Sequence, residues 1–412
     1  MLGATTAGAA IVALVVVATP ERLDDAIAPR SRAATQRTSA TAAVAGATAT
    51  SAPHATTTTV APSPSRFTIA ITGDVLLHIP VSDRAAAYAV ERRSGVRDFR
   101  PMFDPVRKVL RHADLALCHL ETPLSVDGSG LHGYPAFNSA PEIAPALADA
   151  GYDGCSTASN HTYDQGVAGI AATLDHLDAA HVRHSGSARS ADEHSTPTLY
   201  DIAGANVAHL AYTTFLNGAH PNERWMINLI DIDRLDQVKS DVATAKGAGA
   251  DFVIVSVHWG VEFGRTPTAA QRRLAEALTA IDGIDIVVGH HAHVVQPVER
   301  INGKWVVFGL GNFLSNQQQG KCCPVDSEDG IVVRITVVRR GDRYVARALD
   351  YTPTWVDRTT FRIIPALIGA LDESVDASLH DRLARSRERT AEAVRSSGVN
   401  IGETRAALVI AT

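Results

Sequence analysis

Residues 67–74 read FTIAITGD, from Phe67 to Asp74. A β-branched apolar run of this length predicts a buried strand, and its carboxyl end delivers a carboxylate. Working outward, other short apolar runs end in the same manner. Asp114 to Leu120 runs into Glu121, Tyr152 to Ala158 into Ser159-Asn160-His161, Phe252 to Val257 into His258-Trp259-Gly260, and Ile284 to Val288 into Gly289-His290-His291-Ala292-His293. Helical periods separate them at Met102 to His112, Pro141 to Ala150, Val167 to Ala180, Ile232 to Lys246 and Thr268 to Ile281. The alternation predicts an α/β architecture with a largely parallel sheet. Three further strand-like segments, Trp305 to Phe308, Ile331 to Val338 and Tyr344 to Tyr351, are expected to pair at the far side. The charged stretch 372–395 is helix-compatible and carries no chemistry.

The 412 residues are 45% hydrophobic and 20% charged, enough for a sizeable core, which excludes fibrous and wholly disordered classes. A net charge of -6 and a pI near 6.3 leave no global basic footprint, so nucleic-acid binding is not expected. Four cysteines are too few for a disulfide scaffold and form no C-x-x-C pair. Cys118 and Cys155 are read as buried inert thiols. The adjacent Cys322 and Cys323 are not expected to pair with each other, which leaves a partner elsewhere or free thiols.

The amino terminus stands apart. The run GAAIVALVVVAT, Gly8 to Thr19, has the length of a signal-peptide core and is short for a membrane span, although no basic residues precede it. An Ala/Thr/Ser/Pro tract follows that has too little apolar surface to offset its ordering entropy. The expected organisation is a signal or anchor segment at 1–20, a disordered linker at 21–65, a catalytic-type domain at 66–357 and a helical extension at 358–412. It implies an exported, membrane-anchored or extracytoplasmic protein, with a cytoplasmic one as the alternative.

In open α/β sheets ligands bind beyond the carboxyl ends of the strands. Five successive strand ends here carry metal-competent or titratable side chains: Asp74, His119 with Glu121, Asn160 with His161, His258, and the histidines of 290–293. Singly, an Asp after a strand is as often a helix cap, and a lone His is more often a satisfied polar residue. Together, imidazoles with carboxylates suit Zn, Fe, Mn or similar ions and not Ca or Mg. A carboxylate at Glu121 able to bridge two cations makes a clamp for a phosphoryl group and its attacking water. Asn160 and His161 then divide into an amide oxygen for the metal and an imidazole for the leaving group.

The ordered set GDVLL, HLETPLS, ASNHTYDQG, HWGVEF, GHHAHVVQP and GLGNF resembles the CapA/PgsA type of poly-γ-glutamate capsule biosynthesis protein, within the calcineurin-like metallophosphoesterase superfamily. The resemblance covers Phe67 to Val356. It implies a four-layer α/β/β/α sandwich with a dinuclear site of two divalent transition metal ions (Mn, Fe or Zn). Asp74, Glu121, Asn160, His258, His291 and His293 resemble the metal ligands, with Glu121 as the bridge. His161 resembles the histidine that acts on substrate, Asp164 and Gly166 the turn that orients it, and Asn312 a residue of the rim.

The sequence departs from that pattern in places. Leu76 stands where the superfamily's Asp-x-His has its histidine, and His119 stands where the CapA type commonly has Asn. His78 and His119 are therefore extra imidazoles, each a substitute ligand or a bystander. GHHAH can be read in two registers, of which His291 with His293 is preferred over one using His290. Glu262 is read as lining the pocket or merely solvated, and Arg66, Arg265 and Lys321 as receiving an anionic substrate or merely solvated. The expected function is a phosphoesterase-type hydrolase in capsule or envelope-polymer biosynthesis, acting on a phosphoester or anionic polymer beside a membrane-associated synthesis machinery. The alternatives are a non-catalytic metal- and polymer-binding assembly protein and a γ-glutamyl amide hydrolase.

Overall fold

The computed structural model describes residues 64–230, 233, 235–367 and 376–404. The apolar run and nearly all of the linker expected before the domain lie outside them. No helix among the described residues is long and apolar enough to cross a membrane.

The chain builds two mixed sheets, the number the four-layer expectation requires, with more antiparallel pairing than the largely parallel reading of the strand pattern. The first contains β1 (Arg66–Val75), β2 (Leu115–Leu120), β3 (Gly154–Ser156), β4 (Arg183–Ser185), β11 (Asn312–Leu314), β12 (Asp329–Arg340), β13 (Arg343–Val356), β14 (Ile363–Pro365) and β15 (Gly402–Glu403). Its order is β14-β13-β12-β1-β2-β3-β4, with β11 added to β1 and β15 to β13. The second runs in the order β5-β6-β7-β8-β10-β9 and is built from β5 (Thr198–Ile202), β6 (Ala205–Thr213), β7 (Phe252–His258), β8 (Ile286–His290), β9 (Val298–Ile301) and β10 (Lys304–Val307). The β1-β2-β3-β4 and β6-β7-β8-β10 neighbours are parallel, while β12, β13 and β14 on one side and β5 and β9 on the other are antiparallel.

Three hydrophobic clusters define four layers. Phe67, Ile69 and Ile71 of β1 meet Phe252, Ile254, Ile286 and Val288 between the sheets. Ala70, Ala116 and Cys118 face outward against α1 (Ile79–Arg92), α2 (Arg100–Phe103), α3 (Arg107–Arg111) and α4 (Ile143–Ala150). On the opposite side Val253, Val255 and Val287 pack against α7 (Asp236–Gly247) and α8 (Ala269–Ala280). Strands covered on both faces read as continuous apolar runs. The result is the α/β/β/α sandwich the family resemblance implied. Two more helices, α5 (Gly166–Ala179) and α6 (Ala191–Ser195), follow β3 and β4, and α9 (Ala377–Arg395) puts Ala393 and Val394 into the inter-sheet cluster. Beyond Val356 the chain thus adds strands to the first sheet as well as a helix.

Several local expectations need correction. The helix expected over Met102 to His112 is two short ones, because Pro105 has no amide hydrogen to continue the first. Helix α1 and the β5–β6 hairpin went unassigned, although Pro80 in the first turn of α1 and the Ala203-Gly204 turn, with φ of 53° and 95°, are the local signals for them. Cys118 and Cys155 are not free thiols. They stand in register on the parallel strands β2 and β3 and form a disulfide. Cys322 and Cys323 are also joined, to each other, within a tight loop closed by a bridge between Gln319 and Cys323.

Where β1 approaches β11 there is no room for a side chain. A Cβ on Gly73 would collide with the carbonyl oxygen of Gly311. Gly73→Ala should cost roughly 1–3 kcal/mol of stability, read as a lowered thermal midpoint; an unchanged midpoint would contradict this account of the β1–β11 contact.

Candidate metal centre

Strand periodicity delivers the site. Along β7, Phe252 and Ile254 point between the sheets, and the same parity carries Ser256 and His258 inward at the carboxyl end. On β8, Ile286 and Val288 are followed by His290; on β2, Leu115 and Leu117 are followed by His119. β1 needs a correction of parity, since simple alternation would turn Gly73 inward and not Asp74. The pairing of β1 with β2 slips between Ile71↔Leu117 and Asp74↔His119, a bulge that re-aims Asp74.

Seven side chains at these ends are almost fully buried: Asp74, His119, Glu121, His258 and His290 at 1% or less, Asn160 and His293 at 3%. Donor atoms of Asp74, His119 and His290 lie within 4.8 Å of one another, and so do those of Glu121, His291 and His293. His293 joins the two groups, its Nδ1 3.0 Å from Asp74 Oδ2 and its Nε2 3.7 Å from Glu121 Oε1. His258 Nε2 is 2.9 Å from Asn160 Oδ1, and its ring centroid is 4.7 Å from that of His291. All six residues expected as ligands are therefore brought together. The turn after β8 that presents His291 and His293 holds both at positive φ, 88° and 56°. Such strain in non-glycine residues persists only where the surroundings over-determine it.

The donor set tests whether metal ions fit. Asp74 Oδ1, both carboxylate oxygens of Glu121, both ring nitrogens of His290 and His291 Nδ1 are buried and have no hydrogen-bond partner. Leaving such atoms unsatisfied is costly, and cations shared among them remove the cost. The residues fit two divalent ions.

The electrostatics agree. Burial pushes Glu121 up from the ordinary carboxylate range. Burial also opposes ionisation of Asp74, but the imidazoles of His290 and His293 outweigh it and hold that carboxyl well below its usual range. His293 is held above the ordinary imidazole range, since Glu121 and Asp74 outweigh the burial that would lower it. Burial lowers His258 and His119, and brings His291 down to about 3. Neutral imidazole is the form a metal requires.

A layer of supporting contacts holds the donors. His258 Nδ1 is 3.0 Å from His119 Nε2, and His119 Nδ1 is 2.7 Å from Ser156 Oγ. His119 is thus a support for His258, both its nitrogens being engaged. Asn312 lies behind His293, with Oδ1 3.1 Å from its Nδ1, and donates through Nδ2 to the carbonyl oxygens of His293 and Ser327. Ser159 donates to the Glu121 carbonyl and accepts from the His161 amide, which ties the Asn160 loop to β2.

Above the donors sits His161. Its Nδ1 is 2.6 Å from Asp164 Oδ2, which also accepts the Phe137 amide at 2.7 Å. The Phe137 ring meets the imidazole edge-on at 4.8 Å. Nε2 faces Asn217 Nδ2 at 3.4 Å. Gly166, at φ 60°, closes the turn that follows Asp164. Asn217, Phe137 and Phe215 were missed in the sequence. Phe215 and Asn217 follow β6, whose apolar run from Val207 to Tyr212 was the signal for another strand end.

Other candidates fall away from the centre. His78 packs on Phe137 at 5.5 Å and belongs to neither donor group. Arg66 begins β1, at the opposite end of the strand from Asp74. Arg265 is paired with Glu392 at 3.4 Å and Asp326 at 3.9 Å, and Lys321 is in the exposed loop beside the Cys322–Cys323 pair. Glu262 is exposed and near enough to act electrostatically on Glu121 and His293. A third group, Asp178, His184 and Glu193, is set apart, and Arg189 already pairs with both of its carboxylates.

Residues 68–317 match the family model described as bacterial capsule synthesis protein PGA_cap. The PGA biosynthesis protein CapA of Bacillus subtilis (strain 168) is 26% identical over 247 residues, 59% of this chain and 64% of that one. The capsule biosynthesis protein CapA of Bacillus anthracis is 26% identical over 258 residues, 61% of this chain and 60% of that one. The chain thus spans less than two thirds of the length of these relatives. Among solved structures, the calcineurin-like phosphoesterase YfkN from Bacillus subtilis superposes with a TM-score of 0.44 at 14% identity, covering 80% of this chain and 99% of that one. With 68–317 matched, more than half of its length, the chain belongs to the PGA_cap family of bacterial capsule synthesis proteins, and carries within that fold two buried His/Asp/Glu groups fit for a dinuclear metal site.

Proposed function

We propose that this chain serves capsule or envelope-polymer synthesis as a metal-dependent hydrolase of the phosphoesterase type. The observation that carries the proposal is the set of buried, unpartnered donor atoms, together with the His161–Asp164 pair on the loop that carries Asn160. Asp74, Glu121, Asn160, His258, His291 and His293 would hold two divalent ions of Mn, Fe or Zn, with Glu121 shared. Bound there, such ions neutralise charge on a phosphoryl group and lower the pKa of water.

The chain's own residues supply the rest. Asp164 accepts a hydrogen bond from His161 Nδ1 and thereby orients the ring, so that Nε2, beside Asn217, can pass a proton to a leaving oxygen. Asn217 lies beside that nitrogen, positioned to hold the same leaving group. Phe137 fixes the plane of His161 and Phe215 covers His291, excluding water from the donors. The PGA biosynthesis relatives support a second reading of the same site, in which a γ-linked glutamate polymer is bound or cleaved. Export beside a membrane-associated polymer machinery completes the proposal and is supported by the apolar run at Gly8 to Thr19.

Elemental analysis of the purified chain should find two metal equivalents, together with Mn-stimulated hydrolysis of an aryl phosphodiester. Asp74→Ala and His258→Ala should lose both metal and turnover; full activity in either variant would sink the proposal. Two equivalents with cleavage of γ-glutamyl amide and none of phosphodiester would establish the second reading. His161→Asn should keep its metal and lose about 10²–10⁴ in kcat, so wild-type turnover in that variant would remove His161 from the chemistry.

Metal uptake also carries a pH signature. Glu121 and His293 hold protons more tightly than ordinary carboxylates and imidazoles, and ligation must expel them. Affinity should therefore rise with pH across the neutral range. Calorimetry in buffers of differing ionisation enthalpy should register protons released on binding, and binding that releases none would contradict this assignment of charge.

A further inference from the structure

Leu76 leaves the ion at Asp74 one imidazole short of the superfamily's pattern, and the structure supplies a different imidazole at that carboxylate. His290 ends β8 with its side chain turned between the sheets, 1% exposed, where its ring stacks on His119 at 4.1 Å. Its Nδ1 lies 3.3 Å from Asp74 Oδ1. Neither atom has a hydrogen-bond partner, and His290 Nε2 has none either. The two atoms form a close buried ion pair that misses hydrogen-bond geometry, and His290 Nε2 is left without any partner, an arrangement that leaves both free to turn toward a common third atom. Ligands about 2.1 Å from a metal lie about 3–4 Å from one another, the separation found here. His119, in the same donor group, is held by Ser156 at Nδ1 and by His258 at Nε2, whereas both nitrogens of His290 are free of hydrogen bonds.

We propose that His290 is a seventh protein ligand of the dinuclear centre, binding the ion at Asp74 in place of the histidine that Leu76 lacks. GHHAH is then not read in one of two registers. All three of its histidines are used: His290 from the end of the strand, and His291 and His293 from the turn beyond it. The parity of β8 turns His290 inward with Ile286 and Val288, while the positive φ values at 291 and 293 re-aim the two that follow. His119 contributes by stacking, which fixes the plane of the His290 ring. This inference rests on the dinuclear reading above and adds a ligand to it.

The test compares metal content and spectra of the full chain, purified without metal and reconstituted with Co(II). Wild type should bind two equivalents. His290→Ala should fold, as judged by circular dichroism, and retain one equivalent, with affinity for the second reduced at least tenfold. In His290→Cys a thiolate takes the position, and an intense near-ultraviolet thiolate-to-cobalt band should appear. That band requires residue 290 to touch the ion, and it keeps the test decisive if the alanine variant does not fold. Two equivalents of unchanged affinity in His290→Ala would overturn the proposal, as would a His290→Cys chain that binds two cobalt ions without the band. A wild-type chain that binds fewer than two ions would instead overturn the dinuclear reading itself, so the two failures are distinguishable.

Discussion

The constraint on which the structure depends is the burial of two carboxylates, Asp74 and Glu121, each about 1% exposed, at the end of an otherwise apolar space between two sheets. A carboxylate withdrawn from water costs several kcal/mol unless charge and hydrogen bonds replace its hydration. Here His290 and His293 do this for Asp74, whereas Glu121, both of whose oxygens lack a partner, is pushed toward its protonated form. Histidine carries positive charge when protonated and offers lone pairs to a cation when neutral.

The same burial explains the contacts behind the donors. An imidazole binds metal in one tautomer and one plane, and each is set by what its other nitrogen touches. The His258–His119–Ser156 chain does this for one ligand, and Asn312 does it from behind for His293. His119 performs this supporting task from the end of β2. The aromatic residues Phe137 and Phe215 pack on His161 and His291, so the polar layer meets apolar side chains there as well as toward the inter-sheet core.

Much of the site was legible in the chain because a parallel strand covered on both faces leaves a continuous apolar run, and the first polar residue past it is where a ligand can be met. Asp74, Glu121, Asn160, His258 and the 290–293 cluster were found by that rule. Asn217 and Phe215 escaped it, since β6 was not recognised as a strand. His119 and His290 were visible as residues but not in their roles. Whether an imidazole at a strand end ligates, supports or stacks depends on distances to other strands, such as the 3.3 Å from His290 to Asp74. The two cysteine pairs escaped for the same reason, as the register of β2 against β3 is a tertiary fact.

The sequence by itself determined the alternation of strands and helices, the polar residues that end the strands and the family, because each is written in local periodicity or in short ordered motifs. The tertiary structure decided which strands neighbour one another in each sheet, the inward turn of Asp74 and the grouping of the polar residues. Periodicity states which face of a strand is apolar, but not which other face it meets. A bulge between Ile71 and Asp74 reverses the facing of every residue beyond it, and it arises only when β1 is laid against β2.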